Sequence, residues 1–166
     1  MGGLGVDVGG VIIARAGSGD TSFFGKQPML TPAVEGAMDC LALLVKTRFG
    51  SSVHLVSKAG PRTAALTRNW LYHHDFFSRT RIVPENLHFV QERGGKAEVC
   101  DRLGLAHFID DRLDVLRSLK TVAHKYFFMH GISGEAEPSD PDGQVIRVHT
   151  WADMVKAVAQ TSGVSP

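Results

Sequence analysis

The sequence predicts a doubly wound, Rossmann-like α/β domain, and three observations carry that expectation. Short apolar runs of strand length alternate with segments of helical period along the 166 residues. Several of these runs end in side chains that can do chemistry. Gly5-Val6-Asp7-Val8-Gly9-Gly10 ends in a carboxylate and a glycine turn, Val53-His54-Leu55-Val56-Ser57 in a hydroxyl, and Ala106-His107-Phe108-Ile109-Asp110-Asp111 in two carboxylates. Finally, the length suits one complete core and leaves little for a second. Strands alternating with helices imply right-handed crossovers and a parallel sheet covered on both faces. Ligands gather at the carboxyl ends of such strands, which is where these side chains fall.

Residues 4–8 form the first strand, and residues 13–30, rich in Gly and Ser without a sustained period, form a turn and a small flap. Thr31-Pro32 has the signature of a helix start, Thr as N-cap and Pro at the first helical position. Val34, Met38, Leu41, Leu44 and Val45 then recur at helical spacing until Gly50. A strand over 53–56 follows, then a helix from Gly60-Pro61 to about His73. The turn formers Pro84-Glu85-Asn86 precede a strand over 87–90. Beyond it the pattern predicts a helix over 96–103 stopped by Gly104, a strand over 106–109, a helix over 112–119 and a strand over 122–128. The acidic stretch 134–143, with two prolines, reads as an exposed loop before a strand over 145–148. Thr150 caps a last amphipathic helix from Trp151 to about Ala159, and residues 161–166 are expected to fray.

Residues 1–166 are thus expected to form a single domain. Formal charge is +1, with no run of five like charges, so neither a nucleic-acid-binding patch nor a polybasic membrane patch is expected. No apolar stretch approaches the roughly 20 residues of a membrane span, and no leader pattern opens the chain, so the expected location is the cytoplasm. Cys40 and Cys100 lie far apart inside predicted helices, without zinc or redox spacing, and read as buried free thiols.

Taken singly, the polar residues have ordinary readings. Asp7 at a strand end suits a turn or helix cap, Asp110-Asp111 suit a cap for the helix that follows, and Ser57 is common in a loop. Lys96, after Gly94-Gly95, opens a helix beside a dipole that prefers acids, which hints at a local anion, with a solvated lysine as the ordinary reading. The glycines of the first turn follow the carboxylate and no GxGxxG opens a helix, so the dinucleotide-binding reading fails on spacing. The eight histidines match no zinc spacing and read as structural.

The conjunction is more specific. Carboxylate, hydroxyl, lysine and carboxylate pair, in that order and each at an element boundary, resemble the haloacid dehalogenase superfamily of phosphohydrolases over residues 4–111. The resemblance implies a three-layer α/β/α fold of that type and a magnesium-dependent phosphohydrolase or phosphotransferase. Asp7 would attack phosphorus and form an aspartyl-phosphate, Ser57 would donate to a phosphoryl oxygen, and Lys96 would hold Asp7 and the phosphoryl group. Asp7, Asp110, Asp111 and the carbonyl of Gly9 would bind Mg²⁺. The gaps where the family inserts substrate-covering caps leave no room for one here. An open site is expected, taking a small or macromolecular phosphorylated substrate, with a homo-oligomer as one way to cover it. The departure is Gly9, where the family's phosphatases usually carry a second Asp as general acid and base. Asp20 in the flap is the nearest replacement, although an exposed turn aspartate is its plainer reading. Lys58, Arg62 and Arg112 flank the site, as ligands for a distal anion or as a solvated rim. The alternative is a catalytically silent relative that binds a partner or a phosphorylated ligand.

Overall fold

The computed structural model describes residues 2–15, 19–92, 94–130 and 143–161. Within them, β1 (Gly3–Val6), β2 (Val53–Lys58), β3 (Leu87–Val90), β4 (Leu105–Asp110), β5 (His124–Phe128) and β6 (Ile146–Val148) form one sheet. Its order is β3-β2-β1-β4-β5-β6 and every neighbouring pair is parallel. The helices are α1 (Ala37–Leu44), α2 (Pro61–His73), α3 (Phe76–Thr80), α4 (Gly95–Leu103), α5 (Leu113–Ser118) and α6 (Trp151–Thr161). The doubly wound α/β expectation holds.

Period two along the strands explains the layers. Leu4, Val6, Leu55, Ile109, Tyr126 and Phe128 join one core with buried residues of α1, α2, α3 and α6. Their sequence neighbours Val56, Phe108 and Phe127 join a second core with α4 and α5. A strand buried on both faces must be apolar at consecutive positions, which is why these segments read as continuous runs instead of alternations. Gly5 is the exception with a reason: a Cβ there would overlap the Phe108 ring, so glycine lets Phe108 cross β1.

The chain winds outward from β1 to β2 and β3, returns past β1 through α4, and continues from β4 to β5 and β6. The winding therefore reverses between β1 and β4. Such a switch point opens a crevice at the carboxyl ends of the two strands, because the connections leave them in opposite directions. Asp7 follows one of those strands and Asp110 ends the other.

The first helix differs from expectation. It starts at Ala37, after Gly36 at φ 79°, and not at Thr31-Pro32. The arm ahead of it pairs with the segment after β1: Ala14 N donates to Pro32 O at 2.9 Å and Val34 N to Ile12 O at 2.7 Å. Thr31 Oγ1 donates to Thr21 O at 2.8 Å, and the indole of the fully buried Trp70 donates to Thr31 O at 2.9 Å. Non-local bonds thus hold extended a segment whose local signature is a helix cap. At its far end the helix widens into a π-helical turn, Val45–Phe49, and stops at Gly50 as expected. α3 was not anticipated; Asp75 at φ 54° breaks the chain between α2 and α3. β1 ends at Val6, short of the expected Val8, because the Val8 carbonyl turns to accept from the N–H groups of Val11, Ile12 and Ile13. Both cysteines are free; Cys100 is buried as expected, but Cys40 is only half-buried on α1. The expected acidic loop over 134–143, apart from Gly143, and the tail beyond Thr161 lie outside the described residues. Among the described residues no helix is long and apolar enough to cross a membrane.

Candidate active site

The site is built first from the turn after β1. Asp7 N donates to Ile109 O at 3.0 Å, extending the β1–β4 pairing past the end of β1 and fixing where the Asp7 side chain emerges. The Val8 carbonyl, with its N–H partners at 2.8 to 3.2 Å, then reverses the chain. Gly10 sits at φ 82°, in the left-handed region that favours glycine, and a Cβ there would overlap Asp111 Oδ2 and Arg15 Nε. Gly9 differs on both counts. It is exposed, it is not among the glycines with positive φ, and a Cβ there meets nothing within 4 Å.

Opposite this turn, α4 delivers Lys96. Its Nζ donates to Asp7 Oδ1 at 2.9 Å and to Asp110 Oδ2 at 2.8 Å, in an environment where Lys96 is only 4 % exposed. The other Asp110 oxygen accepts from Arg112 N at 3.0 Å. Asp111, one residue on, is held by Arg15: Nε lies 2.9 Å from Oδ2 and Nη2 donates to Oδ1 at 3.4 Å. The same Nη2 reaches Gly9 O at 3.5 Å. One oxygen from each of Asp7, Asp110 and Asp111 lies within 4.8 Å of the others.

The electrostatics follow from three carboxylates facing two cations. Burial alone would push the Lys96 ammonium down, but Asp7 and Asp110 outweigh it and its pKa is raised. Burial, and then the charge of Asp7, pushes Asp110 above the usual carboxylate range against the pull of Lys96. Asp111 is raised by the same two causes, with Arg15 opposing. With every group ionised, three carboxylates against Lys96 and Arg15 leave one negative charge in formal surplus.

In front of the carboxylates lies a cavity of about 740 Å³, within the range of small-molecule sites. Asp7, Ser57 and Lys96 line it from the sheet side, and Phe23 and Phe24 from the flap, with Phe24 78 % exposed. Lys58 and Arg112 also line it, although the Arg112 guanidinium pairs with Asp114 at 3.3 Å. Arg62 is not among the lining residues, and the side chain of Asp20 lies outside the described residues. The fold therefore brings together Asp7, Gly9, Ser57, Lys96, Asp110 and Asp111 from four separate segments. Arg15 is the site residue that sequence reasoning missed. No local pattern marks it, and only the charge surplus of the carboxylates hints that a further cation belongs there.

Histidine is absent from the cluster, and several have structural partners. His54 Nδ1 meets His88 Nε2 at 3.0 Å, His107 Nδ1 meets the Tyr126 hydroxyl at 2.8 Å, and His74 Nε2 meets Met29 O at 2.8 Å.

No protein-family model and no curated protein sequence matches the chain. Solved structures do. A protein of Listeria monocytogenes serotype 4b, described only as uncharacterized, superposes with a TM-score of 0.66 at 11 % identity, covering 99 % of this chain and 100 % of its own. A haloacid dehalogenase family hydrolase from Deinococcus radiodurans R1, whose crystal holds phosphate and sodium, matches with a TM-score of 0.60 at 15 % identity, over 99 % and 97 %. A haloacid dehalogenase-like hydrolase from Xanthomonas campestris matches with a TM-score of 0.55 at 15 % identity, over 82 % of this chain and 58 % of that one. At such identities the likeness establishes the fold. The fold is that of the haloacid dehalogenase-like hydrolases, as the resemblance of the motifs implied.

Proposed function

We propose that this protein is a magnesium-dependent phosphohydrolase or phosphotransferase that works through Asp7. The observation that carries the reading is the Lys96 ammonium bridging Asp7 and Asp110 at the switch point, with Asp111 beside them and the cavity in front. In the reaction, an Asp7 oxygen attacks phosphorus, the ester oxygen leaves with the bonding pair, and an aspartyl-phosphate forms. The departing oxygen takes a proton from solvent; water or an acceptor hydroxyl then attacks phosphorus and gives its proton to solvent as the bond from phosphorus to the Asp7 oxygen breaks and the carboxylate is released. Lys96 holds one Asp7 oxygen and so orients the other, and its charge offsets that of the incoming phosphate. Ser57 donates to a phosphoryl oxygen from the end of β2.

The donor set suits a hard divalent cation: three carboxylates with one oxygen of each within 4.8 Å of the others, and the Gly9 carbonyl beside them. Asp7, Asp110, Asp111 and that carbonyl are the groups that would hold Mg²⁺. When bound, it supplies charge neutralisation between Asp7 and the phosphoryl oxygens. The substrate is a phosphate ester, small or macromolecular, met in the cytoplasm.

A screen of phosphorylated metabolites with magnesium, read against Asp7→Asn, tests the reading. Turnover that disappears in the variant supports it, and full activity in the variant refutes the covalent route. Gly9 favours a second reading, a silent relative that binds a phosphorylated ligand or a partner, since no general acid stands two residues after Asp7. Phosphate binding without turnover of any ester in the screen would select it.

A further inference from the structure

We infer that Arg15 is a placeholder for the metal: its guanidinium occupies the cation side of Asp111 and of the Gly9 carbonyl, and must leave when a divalent cation binds. The inference rests on the metal site proposed above and concerns a residue to which that reading assigns no role. A single guanidinium makes three contacts with two of the four proposed ligands, Nε to Asp111 Oδ2 at 2.9 Å, Nη2 to Asp111 Oδ1 at 3.4 Å and Nη2 to Gly9 O at 3.5 Å. A planar fork on both carboxylate oxygens takes up a lone-pair direction of each and competes with a second cation for them. The seat is shaped for the fork, because a side chain at Gly10 would overlap both Arg15 Nε and Asp111 Oδ2.

Charge argues for exclusion as strongly as geometry does. The carboxylates of Asp7, Asp110 and Asp111 face Lys96 and Arg15, so with all three acids ionised the cluster carries a formal charge of −1. Adding a divalent cation with Arg15 in place gives +1, whereas adding it as Arg15 withdraws gives a neutral cluster. Withdrawal is inexpensive, since the Arg15 side chain is 66 % exposed and lies at the surface end of the pair. Lys96 cannot act in the same way, because it is buried between two carboxylates. Arg15 also lines the cavity in front of Asp7, so the released guanidinium stays where an incoming phosphoryl anion would meet it.

The test is calorimetric titration of the whole protein with Mg²⁺, with Arg15→Gln and Arg15→Lys as variants and Asp110→Ala as the control that removes a proposed ligand. Displacing an exposed ion pair typically costs little, so Arg15→Gln should bind Mg²⁺ roughly three- to fivefold more tightly than the parent. Arg15→Lys separates occupation of the seat from charge alone. Lysine keeps the charge but lacks the fork, so it should also bind more tightly than the parent, whereas a purely electrostatic effect would leave it unchanged. Adding inorganic phosphate should tighten Mg²⁺ binding to the parent more than to Arg15→Gln, since phosphate gives the released guanidinium a partner. Parent-like or weaker binding in either variant overturns the inference, provided that Asp110→Ala still loses the metal. If neither parent nor variants bind Mg²⁺ saturably, the metal reading falls and the inference falls with it.

Discussion

Gly9 lies two residues after Asp7, in open space, with a backbone conformation that accepts a Cβ. The missing carboxylate is therefore a matter of side-chain chemistry and not of steric exclusion, unlike at Gly10, where any side chain would overlap Asp111 and Arg15. Gly9→Asp is expected to fold with a thermal midpoint close to the parent's and to hydrolyse a generic aryl phosphate faster, by up to roughly 10²-fold if the new group reaches the leaving oxygen. A folded, metal-binding variant that is no faster would show that the acid was not what limits the site. Away from the site, His107 supports a pH prediction. It is 3 % exposed, stacks on His124 at 4.6 Å, and is pushed down to about 4 by burial first and then by His124 and Arg48. The unfolded chain takes up this proton near pH 6.5, and the folded protein takes it up only near pH 4. Stability is thus full above about pH 6.5 and lost as pH falls toward about 4, by at most about 3 kcal/mol. The raised pKa values of Asp110 and Asp111 act in the opposite sense, so the comparison must be with a variant. His107→Asn, which keeps a partner for Tyr126, should lose less stability than the parent between about pH 7 and about pH 4 in urea unfolding. Equal losses would remove His107 from the account.

At the scale of elements, the site depends on parts distant from it in sequence. α6 closes the described chain, yet its first residue, Trp151, is 1 % exposed and donates its indole N–H to Val11 O at 2.9 Å. That bond ties the last helix to the turn that presents Asp7 and Gly9. Trp151→Phe removes the donor and leaves space beneath the turn, for a combined cost of about 2 to 4 kcal/mol. Denaturant unfolding should show that loss, and the parent's Mg²⁺ affinity should fall in the folded variant as the turn loosens. A stability change within about 0.5 kcal/mol would mean that the clamp contributes nothing. The arm over 31–34 acts on the other side of the same turn through its bonds to Ile12 and Ala14. Together the two elements hold a glycine-containing loop that has little stiffness of its own.

For the whole molecule, the cavity of about 740 Å³ opens beside the flap that carries the exposed Phe24. An uncovered pocket buries little of a small ligand, so turnover of small phosphate esters should be weakly selective unless a second subunit covers the mouth. Light scattering and a competition panel test this together. A monomer that strongly prefers one small metabolite would contradict it. A dimer in which Phe24→Ala weakens both association and selectivity would place the covering surface at the flap.

The parallel sheet and the order of the chemical groups were legible in the sequence because they rest on local signals. Apolar runs of strand length mark a strand buried on both faces, and Asp7, Ser57, Asp110 and Asp111 stand at the ends of such runs, so their common edge follows from parallel topology alone. Gly50 and Gly104 likewise ended their helices where expected, since a stop at positive φ needs little beyond the glycine itself. Tertiary structure decided the rest. Thr31-Pro32 carries a helix start in its local chemistry, but hydrogen bonds with Ile12, Ala14 and Trp70, all distant in sequence, hold the segment extended. Arg15 could not be assigned from its neighbours, because its partner Asp111 is 96 residues away and the need for a cation arises only when three carboxylates converge. Propensity and periodicity act over a few residues, whereas the placement of a charge depends on every group that the fold brings within a few ångströms of it.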